Sequence, residues 1–204
     1  MMVLAALFGL AGAPVVRGIV GAATGRRPSH AATAIGTTAA AMVVAVAPHS
    51  PFAGPSDPVF ELVALPLAVL GVALVHIDLA IRRLPDVLVL TAYPVLGAAL
   101  IVGATVAGRP DALLRGGLAA AGCLAVYGAV AATGSLGGGD AKLAGLLGLA
   151  LGWLSWTAVM TATVLAFVFA APFAVAALGT RGRRATIPFG PPMLLGALTA
   201  LAVA

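Results

Sequence analysis

Polar and apolar positions fall in blocks along this chain instead of alternating residue by residue. Long runs of Ala, Val, Leu and Gly are separated by short segments that carry most of the charge, such as Arg26-Arg27-Pro28, Arg82-Arg83-Leu84-Pro85-Asp86 and Arg181-Gly182-Arg183-Arg184. The two-residue alternation of barrel strands is absent, and the runs suit helices that cross a ~30 Å hydrocarbon core in roughly 20 residues. The pattern predicts spans over about 1–25, 31–47, 59–77, 87–108 and 112–133. Residues 143–180 then hold no charge over 38 positions, too many for one ordinary span, and Trp153 and Trp156 lie near the middle. Because tryptophan favours the membrane–water boundary, this stretch reads as two spans turning at the tryptophans, the first of them short. A last span is predicted from Pro188 to Ala204.

Composition agrees. Of 204 residues, 62% are hydrophobic and 8% charged, and the mean hydropathy is +1.15. A soluble domain needs more polar surface than this, so the fold class is an all-α integral membrane protein, a polytopic bundle of about eight helices. The expected organisation is one membrane domain, 1–204. The net charge of +5 could point to nucleic acid, but the basic residues stand singly or in pairs beside apolar runs, as topology signals do. No nucleic-acid partner is expected; the bilayer is. Cys123 is the one cysteine, which excludes an intramolecular disulfide and a cysteine-based metal site and leaves a small packing residue.

The charges also set an orientation. The first apolar run precedes its arginines, the reverse of a secretory signal, and reads as a retained span with its amino terminus outside. Arg17, near its inner end, is expected to extend to the headgroups. With eight spans and both termini outside, Arg26, Arg27, Arg82, Arg83, Lys142, Arg181, Arg183 and Arg184 face inward, eight of the eleven basic residues. Arg109 and Arg115 fall at the outer side. This is the positive-inside bias.

Six acids remain to be placed. Asp57, Glu61 and Asp111 fall on the outer side; Asp78, Asp86 and Asp140 fall on the inner side at span ends. Asp140 follows the glycine turn Gly137-Gly138-Gly139 and reads by itself as a helix cap. Asp78 by itself reads as an interfacial carboxylate pairing with Arg82 one turn on. Asp86, after Pro85, suits the first turn of a helix and is given no further role. Asp78 and Asp140 together allow another reading, provided the fold brings them close. Two close carboxylates cannot both ionise readily, so such a pair holds one proton near neutrality. The ionised member can take a proton from water that attacks a peptide carbonyl, and the protonated member can donate to the carbonyl oxygen. Glycines around such an Asp would let an extended peptide backbone approach it.

Three segments carry a resemblance. Gly137-Gly138-Gly139-Asp140-Ala141-Lys142-Leu143 resembles the GxGDxKL motif of bacterial prepilin peptidases (type IV leader peptidases), which are GxGD-type membrane aspartyl proteases. Asp78-Leu79 followed by Leu84-Pro85-Asp86 is similar to the family's first aspartate motif. Arg184-Ala185-Thr186-Ile187-Pro188-Phe189-Gly190-Pro191 resembles its carboxy-terminal segment. The resemblance covers about 60–195. It implies catalytic Asp78 and Asp140, with Gly137, Gly139, Lys142, Pro188 and Gly190 as motif support. It further implies cleavage of a basic leader from a prepilin-like precursor at the cytoplasmic face of the bacterial inner membrane, without cofactor or metal.

Long family members insert a cysteine-containing cytoplasmic domain after the first span and also methylate the new amino terminus. Here only Arg26-Arg27-Pro28-Ser29-His30 stands there, so the short, peptidase-only members tied to tight-adherence pili are the closer comparison, and methyl transfer is not expected. The alternatives are a small proton- or cation-coupled transporter using the same two aspartates, and a non-catalytic homologue. Transporter acids tend to lie near the bilayer midplane, whereas these abut basic loops. His76 reads as a satisfied polar residue, and His30 and His49 fall on opposite sides. Gly148-x-x-x-Gly152 reads as internal helix packing. Lys142 reads as an interface anchor or as a charge that tunes Asp140.

Overall fold

The computed structural model describes residues 2–46, 58–181 and 188–203. The expectations for Pro48 to Asp57 (with His49), for Arg183 and Arg184, and for residues 184–187 of the carboxy-terminal segment lie outside the described residues, as do the side chains of Glu61 and Arg181.

Among the described residues the chain is entirely helical. It forms α1 (Met2–Thr24), α2 (His30–Val46), α3 (Pro58–Ile81), α4 (Asp86–Ala107), α5 (Pro110–Ala132), α6 (Gly138–Leu154), α7 (Trp156–Arg181) and α8 (Gly190–Val203). Each expected span has its helix. Five helices are long and apolar enough to cross a membrane: α1, α3, α4, α5 and α7. Both α2 and α6 have 17 residues and α8 has 14. The protein is therefore a polytopic helical membrane protein.

The ends of the elements follow local chemistry. Gly108 closes α4 in the left-handed conformation at φ 64°, with its N–H bonded back to the Ala104 carbonyl. Pro110 then opens α5 in the first-turn position that suits its missing N–H. Pro14, Pro66, Pro94 and Pro172 lie inside helices, as neighbours in a membrane bundle permit.

Sequence neighbours pack as antiparallel pairs, α1 with α2, α5 with α6 and α7 with α8. Helix α6 is the axis: apart from Lys142 and Leu149, every residue from Asp140 to Leu154 is buried. At ~1.5 Å per residue it is only about 25 Å long, short for a span, and it can be short because other helices surround it. Its small residues admit α5 closely. A Cβ on Gly148 would lie 2.8 Å from the Ala119 carbonyl oxygen and 3.0 Å from Cys123 Sγ, and one on Gly152 2.7 Å from Ala119 Cβ. The small-residue pattern thus serves internal packing, and Cys123 is a packing residue. Outward, Leu62, Val95, Val106, Leu114 and Val168 are exposed, as residues facing lipid would be.

One expectation changes. Asp78 was placed at the start of a loop, but α3 continues one turn past it to Ile81, so the carboxylate projects from a helix and is 3% exposed. The break comes at Arg82, which adopts φ 51° while its N–H bonds to the Asp78 carbonyl at 2.8 Å. The stretch turns between the two tryptophans, at Ser155, as expected; Trp153 is buried against its neighbours and Trp156 is exposed. Arg17 is half-buried, with its Nη1 shielded from solvent.

Candidate active site

The inner ends expected from the charge pattern meet at one end of the bundle. The end of α1 at Ala23, the end of α3 with the 82–85 connection, the start of α4 and the start of α6 line a cleft of about 750 Å³. Asp78 and Asp140 both open onto it. They are the only buried acids among the described residues, 3% and 8% exposed.

Each carboxylate is held by a backbone N–H. Gly137 N–H donates to Asp140 Oδ2 at 3.1 Å. Asp140 is thus the third residue of α6 reaching back to the residue that precedes the helix, the reciprocal half of a capping box, rather than the cap itself. Gly190 N–H donates to Asp78 Oδ2 at 3.0 Å across 112 positions of sequence. Gly190 is the first residue of α8, so the positive end of that helix faces Asp78. Both acids therefore sit at helix amino termini, and the dipole does not single out Asp140 as the ionised member.

The glycines of the motifs have separable uses. A Cβ on Gly190 would lie 2.9 Å from Asp78 Oδ2 and 3.4 Å from its Cγ. A Cβ on Gly139 would lie 2.9 Å from Leu84 Cβ and 3.3 Å from the Leu84 carbonyl oxygen, so this glycine lets the two aspartate segments touch. Gly138 has open space around its Cα. The carboxy-terminal segment is anchored by Phe189, whose ring stands 5.4 Å from that of Phe167 on α7 and 6.3 Å from that of Tyr127 on α5. Pro188 lies half-buried just before it.

Asp86 opens α4 after Pro85 as expected, and it also has a partner on α6. Lys142 Nζ stands 2.7 Å from Asp86 Oδ1, so its partner is the acid given no role beyond the first turn of α4. Tyr93, which no motif marks, donates its hydroxyl to the Lys142 carbonyl oxygen at 2.6 Å. Its available signal was spacing, since seven residues after Asp86 is two turns along one face of α4. His76 is satisfied as expected, with Nδ1 2.8 Å from the Val72 carbonyl oxygen.

A bundle of apolar helices that brings two buried acids from separate helices to one open cleft defines a polytopic membrane protein with a paired-carboxylate site. A model of the type IV leader peptidase family matches residues 65–175, just over half of the chain, and the chain belongs to that family. It is in general terms a type IV leader peptidase-like protease of the membrane. The matched stretch contains Asp78 and Asp140 and ends before Pro188 and Gly190. No curated protein and no solved structure gives a significant match to the chain.

Proposed function

We propose that the protein is an aspartyl endopeptidase that removes the basic leader of type IV or tight-adherence prepilin-like precursors, with Asp78 and Asp140 as the catalytic pair. The observation that carries this reading is the convergence of two buried carboxylates on one cleft, each held by the N–H of a motif glycine. The pair shares a proton. The ionised member draws a proton from a water molecule as that water attacks the scissile carbonyl carbon, and the protonated member donates to the carbonyl oxygen. Collapse of the tetrahedral intermediate returns a proton to the departing amine. Neither metal nor cofactor enters this scheme.

The membrane domain in this reading is the whole chain, 1–204, with its peptidase core over about 60–195. The cleft faces the cytoplasm across the bacterial inner membrane and both termini lie outside. Support comes from Arg82, Arg83 and Lys142, which line the same cleft and belong on the inner side by the positive-inside bias. The rival transporter reading is weakened by the position of both acids at helix ends beside this cleft.

Co-expression with a prepilin-like precursor tests the reading. The precursor should be shortened by its leader, and Asp78→Asn or Asp140→Asn should each abolish shortening. Processing at the normal rate by either variant would overturn the assignment. Proton-coupled flux in proteoliposomes without any cleavage would favour the transporter.

A further inference from the structure

Two residues of α4 grip one residue of α6. Asp86 takes the Lys142 ammonium at 2.7 Å, and the Tyr93 hydroxyl donates to the Lys142 carbonyl at 2.6 Å. The two α4 residues are two turns apart, roughly 10 Å along the helix, so Lys142 is held at the tip of its side chain and at its backbone. Lys142 follows Asp140 by two positions, and residues so spaced point to different faces of a helix. Both line the cleft, but Asp140 bonds back to Gly137 while Lys142 reaches across to α4. Gly139 packs on Leu84 at one side of this turn, while on the open side Gly137 and Gly138 are exposed, and Gly138 has no neighbour where a side chain would begin.

We propose that Lys142 is a positioning residue, tied to α4 through Asp86 and Tyr93 so that the first turn of α6 presents Asp140 toward Asp78. This rests on the reading of Asp78 and Asp140 as the reacting pair. The Asp86 and Lys142 side chains are 59% and 33% exposed, and ion pairs this exposed add little to stability. The effect of the contact is orientation. It also differs from direct tuning of Asp140 by the lysine's charge, because the ammonium is committed to Asp86.

A charge exchange separates the two ideas. Lys142→Met and Asp86→Asn should each lower kcat about tenfold, within the ~10²-fold that a 1 Å misplacement can cost, with KM changed less than about twofold. Lys142→Arg should retain most activity. The double exchange Asp86→Lys with Lys142→Asp should recover at least half of the lost activity. Direct tuning requires the opposite, since the exchange places a negative charge beside Asp140.

Amide hydrogen exchange of purified full-length protein in detergent gives a readout that needs no substrate. Exchange over residues 138–146 should speed about tenfold in Lys142→Met and Asp86→Asn and return toward the parent rate in the charge exchange, with the unfolding temperature nearly unchanged. Unchanged exchange in both single variants, or a charge exchange that repairs neither exchange nor kcat, would overturn the proposal. Should the parent protein leave the precursor uncut, the peptidase reading fails, while the exchange measurement still decides whether Lys142 holds the turn.

Discussion

The two ends of α6 are built in opposite ways. At its carboxyl end Arg115 donates from Nε to the Gly152 carbonyl at 2.7 Å and from Nη2 to the Trp153 and Leu154 carbonyls at 2.7 and 3.0 Å. Trp153 is fully buried there, with the Arg109 guanidinium 5.1 Å over its ring. Gly152 admits α5 so closely that no side chain fits. At its amino end the helix begins with exposed glycines, meets a solvent-open cleft, and is tied by a half-exposed ion pair and one tyrosine hydroxyl. One end satisfies the carbonyls that a helix terminus leaves without intrahelical partners. The other opens onto the cleft that holds both aspartates. A short, buried helix fixed at its far end can thus carry a carboxylate at a constant depth while the surroundings of that carboxylate stay open.

Substitutions at the two ends should separate activity from stability. The largest effect is expected for Asp78→Asn and Asp140→Asn, which should lower kcat/KM for a prepilin-like precursor by about 10³-fold or more with little change in unfolding. Gly190→Ala comes next. Its new Cβ would stand 2.9 Å from Asp78 Oδ2 and displace the carboxylate, at an expected loss of about 10- to 100-fold in kcat with the fold intact.

At the closed end the order reverses. Gly152→Val would set a branched side chain 2.7 Å from Ala119 Cβ and 2.8 Å from Gly116 Cα. Separation of α5 from α6 should cost about 2 kcal/mol in detergent unfolding. Arg115→Met removes three hydrogen bonds to carbonyls, and with the arginine side chain 22% exposed the loss should be about 1.5 kcal/mol. Cleavage per folded molecule should stay within about threefold of the parent for Arg115→Met, since a ~0.6 kcal/mol change in barrier is all that such a factor represents. A hundredfold loss of activity in folded Arg115→Met would show that the ends do not act separately.

The glycine–aspartate turn, the first aspartate and the start of α8 were each legible as motifs, and the burial of Asp78 and Asp140 at one cleft gives those motifs a common place. Lys142 was legible as a motif residue while its partner was not. An acid in the first turn of a helix is ordinary, and nothing in the local sequence distinguishes an Asp86 that meets water from one that meets a lysine on another helix. Tyr93 was hidden for the same reason, lying inside an apolar run with no charge or turn residue beside it. Arg115 lies near the start of α5 as expected, but its three carbonyl partners belong to α6 and follow from the packing of that pair.

Sequence alone determined the helices found among the described residues, their ends to within a few residues, and that Asp78, Asp86 and Asp140 would lie at one end of the bundle. Apolar length, glycine and proline breaks and the placing of arginines are local, and each is readable without knowing a neighbour. Tertiary structure alone decided which helix lies against which, hence that Gly190 would reach Asp78, that Lys142 would reach Asp86 and Tyr93, and that α6 would stand at the centre. Lipid is as apolar as the protein interior, so a face that meets lipid and a face that meets another helix carry the same hydrophobic signal. Only close approach, at the glycines and the few polar groups, tells them apart.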